Sequence, residues 1–414
     1  MLDKLVADRI DALALPMEVA WPGGGYRPPL ARLRLELRDR RLLAALATGR
    51  VGRLAEAYVR GEMEFFGSLR ELAAAAAALV GDPVRARPAG ALRRALRELA
   101  SLVRHSRLAD ARHVQAHYDL SDEFYALWLD PRRVYSCAYY AEPALTLAQA
   151  QEAKLELICR KLRLAPGQRF LDVGAGWGAL LLWAAEHHGV DATGITLSRN
   201  QHAHVQQLID ARGLRGRVRI ELLDYRDLPE DRPFDAIASI GMVEHVGRAR
   251  LEAYFAKLNR LLAPGGLVLN HGITAGGLHN AELGGGIGAF VERHIFPGGE
   301  LEHVSRVAQR LSQGGLELLD AENLRPHYAR TLWAWSDALE ARLDAAARLT
   351  SPQTLRAFRL YLAGSAMSFE RRWLSVHQLL AARPSGTLDE GELRGAQSRY
   401  PFRRGYMYAT TPPP

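Results

Sequence analysis

Short apolar runs alternate with amphipathic segments through the middle of this 414-residue chain, and this alternation constrains the fold more than any other feature. The runs predict strands at 169–173, 190–195, 218–223, 234–240 and 267–270, with helices predicted at 178–187, 198–212 and 249–262. Such alternation is typical of a parallel sheet with helices on both faces. Two more segments, 315–324 and 373–381, are predicted as edge strands. The predicted fold class is therefore α/β.

The preceding residues have a different pattern and predict a separate, small α+β unit. Residues 32–42 alternate between apolar and polar side chains as a half-buried strand does, and 69–80 has a helical pattern. Two prolines and two glycines in 81–90 are typical of a linker. The predicted organisation is an N-terminal domain at 1–82, a basic linker or helix at 83–112 and a main domain at 113–414.

Composition places the chain among globular proteins. Apolar residues make up 48% and charged residues 24% of the sequence, which excludes a mainly disordered or fibrous chain. The longest apolar stretch, 72–80, is far shorter than the ~20 residues that span a bilayer, and no signal-peptide pattern is evident. Cys137 and Cys159 are too few for a disulfide framework. We therefore expect a reducing, cytoplasmic location.

The net charge of +8 is unevenly distributed along the chain. Residues 83–112 contain eight arginines and two acidic residues. This cluster predicts docking on an anionic surface such as phospholipid headgroups. Nucleic acid is the weaker partner because no nucleic-acid-binding signature accompanies the arginines. A solvated helix face is the alternative interpretation.

The sequence RFLDVGAGWGALL, at 169–181, predicts a ligand-binding turn between a strand and a helix. Gly174, Gly176 and Gly178 allow the backbone to approach a ligand and to adopt dihedral angles that other residues avoid. The third glycine comes two residues after the second, whereas a dinucleotide site requires three. The next strand ends in GITLS and lacks the acidic residue of dinucleotide sites. Both differences favour a methyltransferase, with a ligand-free glycine turn as the alternative.

An acidic and an aromatic residue, Asp224 and Tyr225, follow the third predicted strand. An acid at this position can accept a hydrogen bond from an adenine amino group while the ring lies against the base. Asp224 considered alone is equally well explained as a helix cap.

Seven segments in this order carry a family resemblance: HYDLSDEFYALWLDPRRVYSCAYY, LDVGAGWG, GITLSRNQ, DYRDL, SIGMVEHVG, RHIFPGGEL and PHYARTLWAW. Over residues 113–383 the chain resembles the cyclopropane-fatty-acyl-phospholipid synthases, a branch of the class I S-adenosylmethionine methyltransferases. The resemblance implies a Rossmann-like methyltransferase sheet as the catalytic domain. Residues 49–72 more loosely resemble the N-terminal lipid-carrier-like domain of that family.

The resemblance implies two ligands, S-adenosylmethionine and a bicarbonate ion that acts as general base. The implied cofactor contacts are Tyr135 and Ser136 at the methionine portion, the turn of Gly174, Gly176 and Gly178, Thr196 and Gln201 at the ribose, and Asp224 and Tyr225 at the adenine. The implied catalytic group, which holds the bicarbonate, is Cys137, Glu244, His271, Ile273 and Tyr328. Two positions depart from the family pattern, since Ala175 stands where cysteine is frequent and Asp122 where asparagine is frequent.

Each member of this catalytic group also has a purely structural interpretation. Glu244 is suited to cap a helix that starts near Gly247. His271 can be an ordinary core histidine, Tyr328 can simply pack its ring, and Cys137 is more often an inert buried thiol. Glu244 and His271 lack a third ligand at a spacing that suits a metal ion, so no metal is expected.

The reaction implied by the resemblance adds a methylene to the cis double bond of an unsaturated phospholipid acyl chain and closes a cyclopropane ring. A neutral alkene is a poor nucleophile, so the methyl donor must be held close and in line, and water must be kept from the cation that forms. Aromatic rings can stabilise this cation, and the candidates are Tyr118, Phe124, Tyr125, Tyr139 and Tyr140. The glycine-rich run 273–288 is predicted as a lid or entrance loop, with a functionless insertion as the alternative.

The expected location is peripheral, on the inner face of the cytoplasmic membrane, and the formation of a homodimer is left open. Three other functions fit the same sequence less well. They are a methyl- or methylene-branching fatty acyl methyltransferase, a small-molecule N- or C-methyltransferase, and a non-catalytic lipid-binding module.

Overall fold

The computed structural model describes residues 2–85, 101, 121–279, 283–385 and 403–408. Most of the arginine-rich stretch 83–112 lies outside the described residues, as does Tyr118. Among the described residues, no helix combines the length and the apolar character needed to cross a membrane.

The described strands form two separate sheets. In chain order the strands are β1 (Met17–Trp21), β2 (Gly24–Tyr26), β3 (Leu33–Leu37), β4 (Met63–Phe66), β5 (Arg169–Val173), β6 (Asp191–Thr196), β7 (Val218–Leu222), β8 (Phe234–Ile240), β9 (Leu262–Ala275), β10 (Glu317–Asn323) and β11 (Leu374–Ala382). The helices are Leu2–Ala12, Leu42–Ala47, Val51–Val59, Leu69–Val80, Asp122–Ala126, Leu147–Lys161, Ala179–His188, Arg199–Ala211, Val243–Val246, Leu251–Leu261, Ile287–His294, Val304–Gln313, Arg325–Glu340, Leu343–Leu349 and Pro352–Glu370.

The N-terminal sheet has the order β2-β1-β3-β4 and an apolar core of its own. In β3 alternate residues are buried, as the period-two pattern predicts. The strand ends earlier than predicted, because the Asp39 carboxylate accepts a hydrogen bond from the backbone N–H of Arg41 and turns the chain into a helix at Leu42. The helix Leu69–Val80 begins at a capping box between Ser68 and Glu71.

The main sheet has the order β10-β11-β9-β8-β5-β6-β7. The five strands from β9 to β7 are parallel, and the predictions for 169–173 and 234–240 are confirmed as β5 and β8. The predicted parallel sheet is confirmed for these five strands, and β11 runs antiparallel to both β9 and β10. The prediction that 373–381 forms an edge strand was wrong. Most residues of β11 are buried, as befits a strand covered on both faces and both sides.

Helices cover both faces of the main sheet, and β5 shows how the two layers arise. Phe170 packs into the cluster that includes the helices Leu147–Lys161 and Ala179–His188. Leu171 points to the opposite face, into the cluster that includes the helix Leu251–Leu261. The carboxyl ends of the parallel strands are therefore the edge at which loops from both layers meet.

The N-terminal unit packs against the long helix Pro352–Glu370. The Arg356 guanidinium donates to the carbonyl of Tyr58 at 2.8 Å. A Cβ added to Gly52 would lie 2.3 Å from the carbonyl oxygen of Gly286, so a glycine is needed where the two backbones meet. The described part of the glycine-rich run 273–288 thus starts within β9 and ends against the N-terminal unit. Its proposed role as a lid stays a prediction.

Candidate active site

The glycine turn joins β5 to the helix Ala179–His188. Gly174, Gly176 and Gly178 have φ values of 79°, 56° and 81°, a region that side chains with a Cβ rarely adopt. A Cβ added to Gly174 would lie 2.7 Å from Met242, whereas one added to Gly176 would meet no atom within 4 Å. The turn therefore leaves open space above Gly176, and this space suits a ligand that lies close to the backbone.

Four predicted cofactor residues lie at or shortly after the carboxyl ends of β6 and β7. Thr196 and Gln201 are both buried, and the Thr196 hydroxyl donates to the Gln201 side-chain oxygen at 2.8 Å. The Asp224 carboxylate accepts from the guanidinium of Arg226, with Nη2 and Oδ2 2.6 Å apart. An adenine amino group would therefore share this carboxylate with Arg226. Tyr225 packs edge-on against Tyr254, with the ring centroids 4.9 Å apart.

A cavity of about 350 Å³ lies next to the turn, and Gly241, one residue before Met242, lines it. Its wall includes seven residues that the family resemblance implies: Tyr135, Ser136, Cys137, Glu244, His271, Ile273 and Tyr328. They come from a loop near residue 136, the segment after β8, strand β9 and the helix Arg325–Glu340. The structure thus brings the whole implied catalytic group into one cavity.

Glu244 occupies the short helix Val243–Val246 but bonds to the sheet. One carboxylate oxygen, Oε1, accepts from the backbone N–H of Ile273 at 2.6 Å. The other, Oε2, is buried and has no hydrogen-bond partner among the described residues. Burial raises the pKa of Glu244 to about 7. These contacts favour a functional carboxylate over the helix-cap interpretation. They also mean that the backbone N–H of Ile273 is already used by Glu244.

His271 lies on β9 and is buried. Its Nδ1 is 3.2 Å from the side-chain nitrogen of Gln378, while its Nε2 has no partner within the described part of the chain. Burial, together with the charges of Lys154 and Lys161, holds the pKa of His271 well below its usual range, so the imidazole is neutral. A core histidine would have both ring nitrogens satisfied, so this interpretation does not fit.

The two remaining side chains of the implied catalytic group, Tyr328 and Cys137, differ in their contacts and chemistry. The Tyr328 ring packs against Phe369, with centroids 4.7 Å apart, while Tyr328 also lines the cavity. The Cys137 sulfur lies 3.2 Å from the carbonyl oxygen of Ala138, and burial raises the pKa of the thiol far above its ordinary value. Cys137 is therefore a protonated thiol, suited to donate a weak hydrogen bond and not to act as a nucleophile.

The cavity contains groups that fit an oxyanion carrying one hydroxyl. Glu244 Oε2 can accept a hydrogen bond, and a neutral His271 can donate one from Nε2 when the proton is there. An unsatisfied buried polar atom is costly, and two of them on one cavity wall fit a polar ligand that pairs with both. Among the described residues, no group of three His, Cys, Asp or Glu side chains is placed to hold a metal ion.

The aromatic residues of the cavity wall differ from those proposed from the sequence. Phe124 and Tyr125 are fully buried in the aromatic core, and the rings of Tyr139 and Tyr140 both stack on His327. The aromatic residues that line the cavity are Tyr135, Phe296, Tyr328, Tyr361 and Phe369. Four of these five come from segments outside the dense aromatic motif at 117–140, so that motif did not reveal them.

Sequence reasoning also missed a pair of buried lysines. Lys154 donates to the Ser136 hydroxyl at 2.9 Å, and burial lowers its pKa to about 8. Lys161, at the end of the same helix, is also fully buried. The chain has only four lysines against fifty arginines, and three of them, the third being Lys257, are buried. The rarity of lysine in this chain was the available signal.

A second cavity of about 100 Å³ continues from the first. The two share Leu283, Val291, Tyr361 and Ser365. The helices Val51–Val59 and Leu69–Val80 supply much of the wall of the second cavity, which is almost wholly apolar. The N-terminal unit thus extends the apolar space that starts at the catalytic group.

Comparisons with known proteins agree with this geometry. The family described as mycolic acid cyclopropane synthetase matches residues 105–379. A probable fatty acid methyltransferase from Pseudomonas putida is 41% identical over 381 residues, which are 91% of this chain and 94% of that protein. Cyclopropane mycolic acid synthase 1 from Mycobacterium tuberculosis is 41% identical over 277 residues, or 64% of this chain and 95% of that protein.

Solved structures show the same fold over the main domain. The mycolic acid cyclopropane synthase CmaA1 complexed with SAH and CTAB has a TM-score of 0.62 and 40% identity, covering 66% of this chain and 98% of that chain. The cyclopropane synthase MmaA2 from Mycobacterium tuberculosis has a TM-score of 0.61 and 35% identity, with the same coverage. These similarities confirm the α/β, Rossmann-like methyltransferase fold that the sequence predicts.

Proposed function

This chain belongs to the mycolic acid cyclopropane synthetase family of S-adenosylmethionine-dependent methyltransferases, and we propose that it forms cyclopropane rings at the cis double bonds of unsaturated phospholipid acyl chains. The observation that carries the proposal is the single cavity beside the glycine turn, in which Glu244, His271 and Tyr328 converge. A carbon-transfer enzyme needs a cofactor turn, an apolar acyl site and a basic group in contact, and these features adjoin here.

In this proposal the open space above Gly176 holds S-adenosylmethionine, which supplies an electrophilic methyl group when bound. Gly174, Gly176 and Gly178 allow the backbone to approach it, and the adjoining Tyr135 and Ser136 orient its methionine portion toward the cavity. Lys154 fixes the Ser136 hydroxyl through its 2.9 Å hydrogen bond. The main contribution of these groups is orientation, which an unactivated alkene requires.

The acyl chain lies in these two adjoining cavities, the second of which has an almost wholly apolar lining. Attack by the alkene leaves a positive charge on the chain, and the rings of Tyr328, Tyr361 and Phe369 face the space in which it forms. These rings also exclude water, which would otherwise convert the cation to an alcohol. The distal part of the chain extends toward the N-terminal helices, which explains why this enzyme carries an N-terminal unit at its catalytic cavity.

Ring closure requires the loss of one proton from the transferred methyl group. Glu244, His271 and Tyr328 are suited to hold a bicarbonate ion, and Cys137 and Ile273 line the same cavity. Such an ion would supply a basic oxygen. The protein groups themselves then provide hydrogen bonds and a fixed position. Because Ile273 anchors one oxygen of Glu244 at 2.6 Å, the other oxygen has a defined place in the cavity.

A methyl- or methylene-branched product is the second candidate, and the 41% identity to the probable fatty acid methyltransferase favours it. Both products begin with the same methyl transfer and differ in how the cation is quenched. The intact group of Glu244, His271 and Tyr328 favours ring closure. The glycine turn argues against a non-catalytic lipid-binding module. The second cavity, which is almost wholly apolar, argues against a polar small-molecule substrate.

Expression in a host that lacks cyclopropane lipids tests the proposal. We expect the extracted acyl chains to show the upfield proton resonances of a cyclopropane ring. Mass spectrometry alone does not decide between the candidates, since a cyclopropane and a methylene branch are isomers. Vinylic methylene signals without ring signals would establish the branching activity, and unmodified lipid from cells that contain the folded protein would refute both.

We further propose that the arginine-rich stretch 83–112 docks the enzyme on the anionic inner face of the cytoplasmic membrane. Glutamine at Arg93 and Arg94 is expected to weaken sedimentation with anionic vesicles about 30-fold, since each arginine near such a surface contributes about 1 kcal/mol. Glutamine at the exposed Arg41 and Arg215 is the matched control. Binding that is indifferent to lipid charge and salt would remove this electrostatic contribution.

A further inference from the structure

A row of polar side chains crosses the main sheet behind the catalytic cavity. Glu322 on β10, Gln378 on β11 and His271 on β9 are direct cross-strand partners, so their side chains share one face of the sheet. Lys161, the last residue of the helix Leu147–Lys161, lies over this row. Its ammonium group donates to Glu322 and, at 2.8 Å, to the Gln378 side-chain oxygen.

Lys161 determines which way the Gln378 amide faces. An ammonium group has hydrogens to donate and no lone pair to accept with, so the amide oxygen must face Lys161. The amide nitrogen then faces His271, 3.2 Å from Nδ1. Because this NH₂ group donates, Nδ1 must accept. The proton of the neutral imidazole is consequently on Nε2, the nitrogen that has no partner in the described residues.

The surroundings also oppose protonation of His271 to the charged imidazolium. Lys154 and Lys161 carry positive charge beside it, His377 adjoins it on β11, and burial opposes charge on the ring. The acidic groups nearby include Glu322, which Lys161 engages, and Glu244, which lines the same cavity. Gln378 and Lys161 are themselves fully buried, so water does not compete for their hydrogen bonds.

We propose that Lys161 and Gln378 are positioning residues that hold His271 as its Nε2–H tautomer, so that His271 donates a hydrogen bond into the catalytic cavity and does not accept the proton of the reaction. The consequence for catalysis rests on the proposed function. The tautomer itself is a property of the resting protein. The groups of the cavity that can accept this proton are then Glu244 and the oxyanion that it helps to hold.

Two-bond proton–nitrogen spectra of ¹⁵N-histidine-labelled protein test the tautomer without substrate. We expect protonated Nε2 and unprotonated Nδ1 for His271, whose signals are assigned by their loss in His271→Asn. Protonated Nδ1, or an imidazolium, in the wild type at pH 8 would overturn the proposal. This spectrum decides the question even where a variant does not fold, and its outcome is independent of which lipid product is formed.

Gln378→Glu tests the role of the amide. The new carboxylate still accepts from Lys161 but also presents an acceptor to Nδ1, so we expect the proton to move to Nδ1. Turnover should fall about 10–100-fold, as for other residues that orient a catalytic histidine, with an unchanged KM for S-adenosylmethionine. Gln313→Glu, on an exposed residue, is the matched control, and the His377 signals serve as the internal reference. An unaltered His271 tautomer in Gln378→Glu would contradict the proposal.

The double variant Lys161→Met with Glu322→Gln removes the ammonium and its carboxylate partner together. The Gln378 amide is then able to face either way, and we expect both His271 tautomers in the spectrum. A single Nε2–H tautomer in this variant would show that Lys161 does not determine the amide orientation.

Discussion

Replacement of Glu244 by glutamine is expected to reduce turnover by about 10²–10⁴-fold, the usual effect of losing a group involved in proton transfer. The affinity for S-adenosylmethionine should stay near the wild-type value, because Glu244 lines the catalytic cavity and not the glycine turn. The backbone N–H of Ile273, which donates to Glu244 Oε1, would still find the amide oxygen. The loss is therefore chemical and not structural.

The same variant is expected to be more stable than the wild type at alkaline pH. Burial raises the pKa of Glu244 from 4.5 to about 7, so between these values the folded protein keeps a proton that the unfolded chain has lost. The free energy of unfolding consequently falls as the pH rises through this window. The full loss, of about 3 kcal/mol, is present above pH 7. Glutamine does not titrate, so the variant escapes this loss.

Denaturant unfolding and calorimetric titration with S-adenosylmethionine, each at pH 5 and pH 8, measure these effects. We expect a stability advantage of Glu244→Gln of about 3 kcal/mol at pH 8 that falls to about 1 kcal/mol at pH 5. Other buried titrating groups, such as Asp172 and Lys154, are common to both proteins and cancel in the difference. Near-normal ring formation by Glu244→Gln would remove Glu244 from the mechanism, and an equal stability difference at both pH values would contradict its ionisation above pH 7.

Replacement of Gly176 by valine is expected to abolish binding of S-adenosylmethionine. A Cβ at this position enters the open space that we assign to the cofactor, since no protein atom lies within 4 Å of it. The branched side chain would occupy more of that space. The φ of 56° also strains any residue with a Cβ, at a cost of about 1–2 kcal/mol.

Gly213→Val separates strain from occupancy. Gly213 has a φ of 66° and likewise no atom within 4 Å of an added Cβ, but it follows the helix Arg199–Ala211, away from the turn. We expect both variants to lose similar stability and only Gly176→Val to lose binding in calorimetry. Unaltered affinity in Gly176→Val would contradict the placement of the cofactor.

The strand and helix pattern of the central region was predictable because it depends on local burial. β5 and β8 have the predicted bounds, and the glycine turn follows β5 as expected. Strand β9 was predicted too short: it runs from Leu262 to Ala275, through Pro264, Gly265 and Gly266, which interrupt the apolar pattern. Pairing with β8 and β11 extends the strand beyond the segment that its own sequence favours.

The family resemblance implied the catalytic group, but the sequence alone did not separate function from packing. For Glu244 and His271 the structural alternatives concerned hydrogen bonds that only the folded chain forms. The contact of Glu244 with Ile273 joins residues 29 apart, and that of His271 with Gln378 joins residues 107 apart. Neither spacing leaves a local pattern in the sequence.

By itself, the sequence determined the alternation of strands and helices, the glycine turn and the chemical types available to the site, because side-chain periodicity and backbone sterics act over a few residues. Only the tertiary structure decided that β11 lies between β9 and β10. This strand order brings Gln378 beside His271 and Lys161 over both. The tautomer that we propose for His271 therefore depends on contacts between segments far apart in the chain, made in a buried region where unsatisfied polar atoms are costly.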